Sequence, residues 1–235
     1  MNLLALLRAI ASAVAVAAGS SVFGQSVPSA AVSPTAFVPA GYVVTEEVRG
    51  DLNRDGREDR VLVVKAARKE AFFRHEQRGL LDRNRRGLVI VFGSHGRYAL
   101  ALANLACFSS ENEDGGVYFA PELSVDIRRG TLVVHYAHGR YGYWSYTFRY
   151  QNGDFELIGH DRSENRGPVV QRSVSMNYLT RRMLIRENLD PNAEEGGKER
   201  FRETWQAFAV PRRILLRTIG AFDDLSLEPP PTPAR

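Results

Sequence analysis

The chain has 235 residues, of which 44% are hydrophobic and 25% are charged, so its composition is that of a globular protein and excludes a disordered class. The formal net charge of +4 includes Arg8, which lies in a segment expected to be removed, and so small an excess does not indicate nucleic-acid binding. The single cysteine, Cys107, excludes an intramolecular disulfide, so the fold has to rely on packing, with or without a metal.

The beginning of the chain is typical of an export signal. Residues 1–24 combine a short start that contains Arg8 with an apolar run over residues 10–18 and a cleavage region at residues 22–24. No later stretch approaches the about 20 apolar residues that are needed to span a bilayer. We therefore predict a signal peptide over residues 1–24 and a bacterial periplasmic or secreted protein with no membrane span.

Composition divides the rest of the chain into three parts. Residues 25–41 are rich in Ser, Pro and Ala without periodicity, which predicts a flexible linker. Residues 228–235 contain four prolines, which predicts a disordered tail. Between them, residues 42–227 are predicted to form a single β-rich domain.

Short segments rich in β-branched and aromatic residues alternate with Gly, Asn and Asp throughout that domain, which predicts a mainly β fold, an antiparallel sheet or sandwich. Hairpin turns are predicted at Asn152-Gly153 and Arg129-Gly130, because these residues tolerate a positive φ. One or two short helices are predicted over residues 67–81 and 211–222. The predicted strands cover residues 42–48, 60–66, 87–92, 98–104, 123–127, 131–138, 143–150, 155–160, 173–178, 182–187 and 201–208.

The strongest chemical motif follows the first of these strands. Residues 51–59 read Asp-Leu-Asn-Arg-Asp-Gly-Arg-Glu-Asp and place oxygen side chains at positions 1, 3, 5 and 9, with Gly56 at position 6. Ca²⁺ takes six to eight oxygen ligands, and a tightly curled loop can bring alternating side chains to it. The predicted ligands are the side chains of Asp51, Asn53, Asp55 and Asp59 and the backbone carbonyl of Arg57.

A helical EF-hand would have Glu at position 12, but here that position is Leu62, inside an apolar run that predicts a strand. The loop resembles the calcium loops of FG-GAP and VCBS-type repeat proteins, in which a D-x-N/D-x-D-G-x-x-D segment precedes a strand. Two further blocks are distinctive, Glu-Asn-Glu-Asp-Gly-Gly-Val-Tyr-Phe-Ala-Pro-Glu at residues 111–122 and His-Gly-Arg-Tyr-Gly-Tyr-Trp at residues 138–144. With them, residues 44–170 resemble an uncharacterised family of exported bacterial proteins with a single such loop. The resemblance implies export and a Ca²⁺ site, for which we predict a structural role. The alternative is an Asp-Gly surface turn without metal.

An acidic segment follows Cys107. Residues 109–116 concentrate acids and turn formers, which favours an exposed acidic loop and leaves open a second cation site over residues 111–114. Carboxylates at Glu111, Glu113, Glu122 and Asp161 could also serve a glycoside or cell-wall hydrolase, although such chemistry depends on their separation.

An aromatic hairpin is predicted over residues 135–150. Its alternation places Trp144, Tyr146, Phe148 and Tyr150 on one face, which we assign to the core. The remaining aromatic and basic side chains suit a groove for a sugar or an anionic polymer, and the alternative is an amphipathic hairpin with polar tips. The predicted ligand-binding residues are His138, Arg140, Tyr141, Tyr143 and Arg149.

Residues 65–86 carry eight Lys or Arg residues against three acids. A solvated basic surface is the simpler interpretation, and an anionic envelope polymer would be the partner of an exported protein. From the whole sequence we predict an exported protein with a structural Ca²⁺ loop and a binding role toward an envelope glycan or protein. The alternative is a hydrolase that uses carboxylates between Glu111 and Glu122, and no catalytic residue is assigned.

Overall fold

A computed structural model describes residues 28–112 and 121–227 of the chain. The described residues form fourteen strands and four short 3-10 helices. The 3-10 helices are Pro34–Phe37, Lys69–Ala71, Gly139–Tyr141 and Leu216–Thr218. The strands are β1 (Ala30–Ala31), β2 (Tyr42–Gly50), β3 (Asp59–Ala66), β4 (Phe72–His75), β5 (Gly79–Asp82), β6 (Arg86–Ser94), β7 (Arg97–Phe108), β8 (Glu122–Arg128), β9 (Thr131–Ala137), β10 (Gly142–Gln151), β11 (Asp154–Arg166), β12 (Val169–Asn177), β13 (Arg182–Asn188) and β14 (Phe201–Ala207).

The strands form two large antiparallel sheets that follow each other along the chain. The N-terminal sheet has the order β1-β7-β6-β3-β2, and the C-terminal sheet is an up-and-down meander from β8 to β14. Strands β4 and β5 pair with no strand but each other in the described part of the chain. The predicted mainly β class is therefore confirmed, and each of the eleven predicted strands coincides with an observed one.

The two sheets pack face to face over the main core. Val61, Ile90 and Leu102 face it from the N-terminal sheet, and Val134 and Phe148 face it from the C-terminal sheet. Strand β3 is also buried on its other face, because Leu62 and Val64 pack with Phe37 in a second cluster. Its continuous apolar run thus reflects a central strand covered on both sides.

Type I′ hairpin turns connect several strands. Asn152 and Gly153 have φ angles of 55° and 80°, and Arg129 and Gly130 have φ angles of 51° and 73°. Positive φ at both central residues matches the right-handed twist of the flanking strands. Both predicted turns are confirmed.

The segment over residues 28–41 differs from its prediction as a flexible linker. Ala30 and Ala31 pair with β7, and the Phe37 side chain is completely buried against the outer face of the N-terminal sheet. The linker prediction is wrong over these residues, because Ser-, Pro- and Ala-rich composition did not reveal that one phenylalanine anchors the segment. The predicted signal peptide and Pro-rich tail lie outside the described residues, as do residues 25–27 of the predicted linker.

Neither predicted helix forms. Residues 67–81 contain one 3-10 turn and most of the β4–β5 hairpin. In residues 211–222, only Leu216–Thr218 is helical, because the extended backbone before it pairs with β11. There Leu157 N donates to Ile214 O at 2.9 Å. The segment then inserts Leu216, Ile219 and Phe222 into the main core.

Candidate functional site

The predicted calcium loop connects β2 to β3 and curls tightly. Arg54 and Gly56 have φ angles of 63° and 80°, so two residues of the loop adopt the left-handed conformation. Leu52 is 1% exposed and fills the core between the sheets. The Arg54 side chain donates to Arg129 O at 3.5 Å, in the β8–β9 turn. The loop therefore joins the end of the N-terminal sheet to the C-terminal sheet.

Backbone amides occupy the centre of this loop. Asp55 N donates to Asp51 Oδ1 at 3.2 Å and to Asn53 Oδ1 at 3.0 Å, so these two side-chain oxygens converge on one atom. Gly56 N donates to Asp51 Oδ2 at 2.9 Å. The Asp55 carboxylate accepts from Arg57 N at 2.9 Å and lies 3.6 Å from the Arg57 guanidinium.

Asp59, the ninth residue of the loop, is fully buried. Its Oδ2 accepts from Leu52 N at 2.8 Å and from Asn53 N at 3.4 Å, and its Oδ1 accepts from Gly93 N at 3.0 Å. Burial raises the pKa of Asp59, while these hydrogen bonds oppose that effect. Asp59 thus holds the loop to β6 as a structural anchor.

The donor set fits Ca²⁺ in chemistry, since every predicted ligand offers oxygen. Asp51 and Asn53 already lie together, whereas Asp59 points its oxygens at backbone amides. Within residues 28–112 and 121–227, no group of three or more His, Cys, Asp or Glu side chains is placed to hold a metal ion. In this conformation the loop satisfies its carboxylates with N–H groups, so calcium binding would require them to exchange partners.

A cavity of about 790 Å³ lies at the other end of the C-terminal sheet. One side is formed by aromatic side chains of the β9–β10 connection and β10, which are Tyr141, Tyr143, Trp144 and Tyr146. Polar walls come from β11 and from the segment after the last 3-10 helix, with His160, Arg162, Glu164 and Asp223. Ser110 and Pro121, which flank residues outside the described part of the chain, also line it.

Cross-strand pairing explains why these residues meet. Trp144 lies opposite Arg162, and Tyr146 lies opposite His160, between β10 and β11. The Tyr146 and His160 rings stack with centroids 4.9 Å apart, and His160 Nδ1 lies 3.1 Å from Ser145 O. The polar wall is also ordered, because Glu164 accepts from Arg162 and, at 3.4 Å, from Arg172.

The predicted aromatic face of the hairpin is confirmed. Tyr146 is 3% exposed and Phe148 is completely buried, and Trp144 and Tyr150 pack against the same core. Trp144 and Tyr146 nevertheless also line the cavity. Strand alternation could assign their face but not show that the core opens at this end.

The five residues predicted to bind ligand divide between two places. Tyr141 and Tyr143 line the cavity, and the His138 ring lies 5.1 Å from that of Tyr141. Arg140 is an exposed residue of the same 3-10 turn. Arg149 does not join this group, because it lies six residues along β10 from Tyr143, a distance of about 20 Å in a strand.

Of the carboxylates predicted for a hydrolase, the three that the structure describes do not line this cavity. Glu111 lies 3.5 Å from the Arg86 guanidinium, Glu122 is exposed at the start of β8, and the Asp161 carboxylate accepts from Ser175 at 2.6 Å. Glu113 and Asp114 lie outside the described residues, so the second cation site over residues 111–114 remains a prediction. The carboxylates that the cavity does contain, Glu164 and Asp223, come from segments to which the sequence analysis assigned no function.

A second cavity of about 890 Å³ lies beneath the C-terminal segment and is lined mainly by that segment itself. Tyr178 borders it, and its buried hydroxyl has no hydrogen-bond partner among the residues described. Burial raises the pKa of Tyr178 to about 12, so the hydroxyl stays protonated at neutral pH. The first cavity presents more aromatic side chains than the second, and it combines them with side chains of both charges.

None of the protein-family models, curated proteins or solved structures with which the chain was compared matches it. In the described part of the chain, no helix is long and apolar enough to cross a membrane.

Proposed function

We propose that this protein is an exported binding protein that holds an oligosaccharide in the cavity between Tyr141 and Asp223. The observation that supports the proposal is the composition of the walls, in which aromatic side chains face charged and hydroxyl-bearing side chains. Sugar rings present apolar C–H faces that pack on aromatic rings, and hydroxyl groups that pair with carboxylates and guanidinium groups. A cavity of about 790 Å³ is within the size range of small-molecule sites.

Tyr141 is the most informative residue for a test. It lines the cavity and is 63% exposed, so its removal costs the fold little. We expect Tyr141→Ala to weaken oligosaccharide binding about tenfold, because one stacking partner is lost. Isothermal titration with soluble peptidoglycan fragments and other envelope oligosaccharides would measure the change.

Trp205 offers the matched control. It is 56% exposed on β14 and does not line the cavity. Trp205→Ala should leave affinity unchanged. Equal losses in the two variants would contradict the site, and the absence of binding to every oligosaccharide would contradict the proposed function.

A hydrolase remains the second candidate because two carboxylates, Glu164 and Asp223, line this cavity. Glycoside hydrolysis requires a pair of carboxyl groups about 5–10 Å apart. New reducing ends that appear with the wild type, and disappear with Asp223→Asn, would favour hydrolysis over binding alone.

We also propose that the loop over residues 51–59 binds Ca²⁺ in a structural role. The support is its oxygen-only donor set and its position between the two sheets. Such a clip would serve a chain that has one cysteine and thus no disulfide of its own.

A further inference from the structure

The β4–β5 hairpin stands apart from both large sheets. It is inserted between β3 and β6, and among the described residues its strands pair only with each other. Asn84, which is 1% exposed, fixes its base by accepting from Arg68 N at 2.9 Å and donating to Arg68 O at 3.0 Å. Lys65 and Asp82 add an ion pair of 2.8 Å. The hairpin is thus a firmly anchored projection.

Large apolar side chains remain exposed on this projection. Arg74 lies opposite Leu80 and Phe72 lies opposite Asp82, so Phe72, Arg74 and Leu80 share one face. Phe72 is 44% exposed and Leu80 is 61% exposed, whereas Leu81 on the other face is buried. Phe73 on that other face is 42% exposed beneath the Arg83 guanidinium, 4.5 Å from its ring centre. A cluster of this kind marks an interaction surface.

The same region is strongly basic. Residues 65–86 have eight Lys or Arg residues against three acids, which is a net charge of +5. Lys65 pairs with Asp82, and Arg86 lies near Glu111, so both belong to the body of the protein. The exposed cations of this segment are Arg68, Lys69, Arg74 and Arg78, which outnumber its two exposed acids, Glu70 and Glu76.

We propose that this hairpin docks the protein on an anionic lipid bilayer, with Phe72 and Leu80 inserted at the level of the headgroups. Transfer of aromatic and leucine side chains from water to the membrane interface is favourable, and nearby arginine and lysine side chains pair with lipid phosphates. A hydrated anionic polymer would satisfy the charges but would offer no apolar medium for Phe72 and Leu80. The combination therefore favours a lipid surface, and it is independent of the oligosaccharide cavity.

Cosedimentation with lipid vesicles tests the proposal. Binding should be strong to phosphatidylcholine vesicles that contain phosphatidylglycerol, weak to pure phosphatidylcholine, and reduced by salt. The double change Phe72→Ser and Leu80→Ser should reduce the partition coefficient about tenfold or more, because two apolar side chains lose their burial. Arg74→Gln should reduce it about fivefold.

The control variant carries Leu179→Ser and Trp205→Ser. These two side chains are 52% and 56% exposed, which is similar to Phe72 and Leu80, and they lie far from the hairpin in sequence. It should bind vesicles like the wild type, and thermal melting should confirm that all variants are folded. The proposal is overturned if the control loses as much binding as the hairpin variant. It is equally overturned if the wild type binds heparin but no vesicle, which would assign the basic surface to an anionic polymer.

Discussion

Glu156 is the clearest example of a single side chain that stabilises the join between the C-terminal sheet and the C-terminal segment. It is 7% exposed, and its carboxylate accepts from Gln151 at 2.6 Å, from Asn152 at 3.0 Å and from Arg213 at 2.9 Å. Burial by itself raises the pKa of Glu156, but the hydrogen bonds and the Arg213 charge outweigh it and lower the pKa.

A pH dependence of stability follows from this lowered pKa. Because the folded state releases the proton more readily than the unfolded state, the contribution is complete above the ordinary glutamate value of 4.5. It is lost as the pH falls through the lower folded value. We expect Glu156→Gln to reduce the free energy of unfolding by about 1–3 kcal/mol at pH 7, and by less as the solution is acidified. Urea unfolding of both proteins over this pH range measures the difference.

The exposed pair of Glu203 and Arg186, with a distance of 2.9 Å, provides the control. Glu203→Gln should change the free energy of unfolding by less than about 1 kcal/mol, because water already screens an exposed pair. A difference between wild type and Glu156→Gln that stays constant with pH would contradict the assigned role of the Glu156 charge.

At the scale of elements, residues 28–41 form a packed segment and not a flexible linker. The side chains of a flexible linker would not affect the free energy of unfolding. In the structure, however, Phe37 is completely buried with Leu62, Val64 and Val89. We expect Phe37→Ala to cost about 3–5 kcal/mol, since a large aromatic side chain is removed from a packed cluster. Chemical denaturation measures this loss.

Val32→Ala is the matched control, since Val32 lies in the same segment and is 71% exposed. It should change the free energy of unfolding by less than about 0.5 kcal/mol. If Phe37→Ala is as stable as the wild type, burial of Phe37 does not stabilise the fold and its anchoring role is wrong.

The elements also show which secondary structure can be predicted from local sequence patterns. Strands such as β3 and β10 were predictable because local signals agree, with β-branched or aromatic residues between turn residues. The segment over residues 211–222 was not, since its apolar spacing fits a helix equally well. Its conformation depends on distant partners, because its extended start pairs with β11 and Asn104 donates to the carbonyls of Leu216 and Ile219 at 2.8 Å each. No local pattern encodes such long-range contacts.

The candidate site also combines residues that local patterns identify with residues that only long-range contacts bring together. The tyrosines at positions 141 and 143 could be singled out because they lie in an aromatic run, at a predicted turn and just after it. Glu164 and Asp223 could not, since they reach the cavity from segments far apart in the chain. Arg149 was misplaced with them because an alternating pattern identifies a face and does not limit distance along the strand.

At the scale of the whole molecule, two sheets formed from successive parts of the chain must be held together. The shared core does this at the centre, the C-terminal segment does it through Ile219 and Phe222, and the loop over residues 51–59 does it at one end through Leu52. A ligand that fixes this loop would therefore act on the unfolding of the entire domain, not on a local turn.

Calcium provides the test of that loop. A ligand that binds only the folded state stabilises it by RT ln(1 + [L]/Kd). With a Kd of about 10⁻⁴–10⁻³ M, typical of extracellular modules, about 10 mM Ca²⁺ would add on the order of 1.4–2.7 kcal/mol to the free energy of unfolding. The melting temperature of chelator-treated protein should rise on addition of Ca²⁺ and rise less with Mg²⁺, which demands stricter octahedral geometry.

Variants of this loop separate a metal effect from a general effect of salt. Asp55→Ala should remove most of the rise, because Asp55 is exposed and would turn its carboxylate from Arg57 toward the ion. Asp190→Ala, which removes an exposed acid from the β13–β14 connection, should keep the full rise. If the wild type melts at one temperature with and without millimolar Ca²⁺, and calorimetry detects no binding, the amides that fill the loop are its permanent partners. Its carboxylates would then serve only to close the turn between β2 and β3.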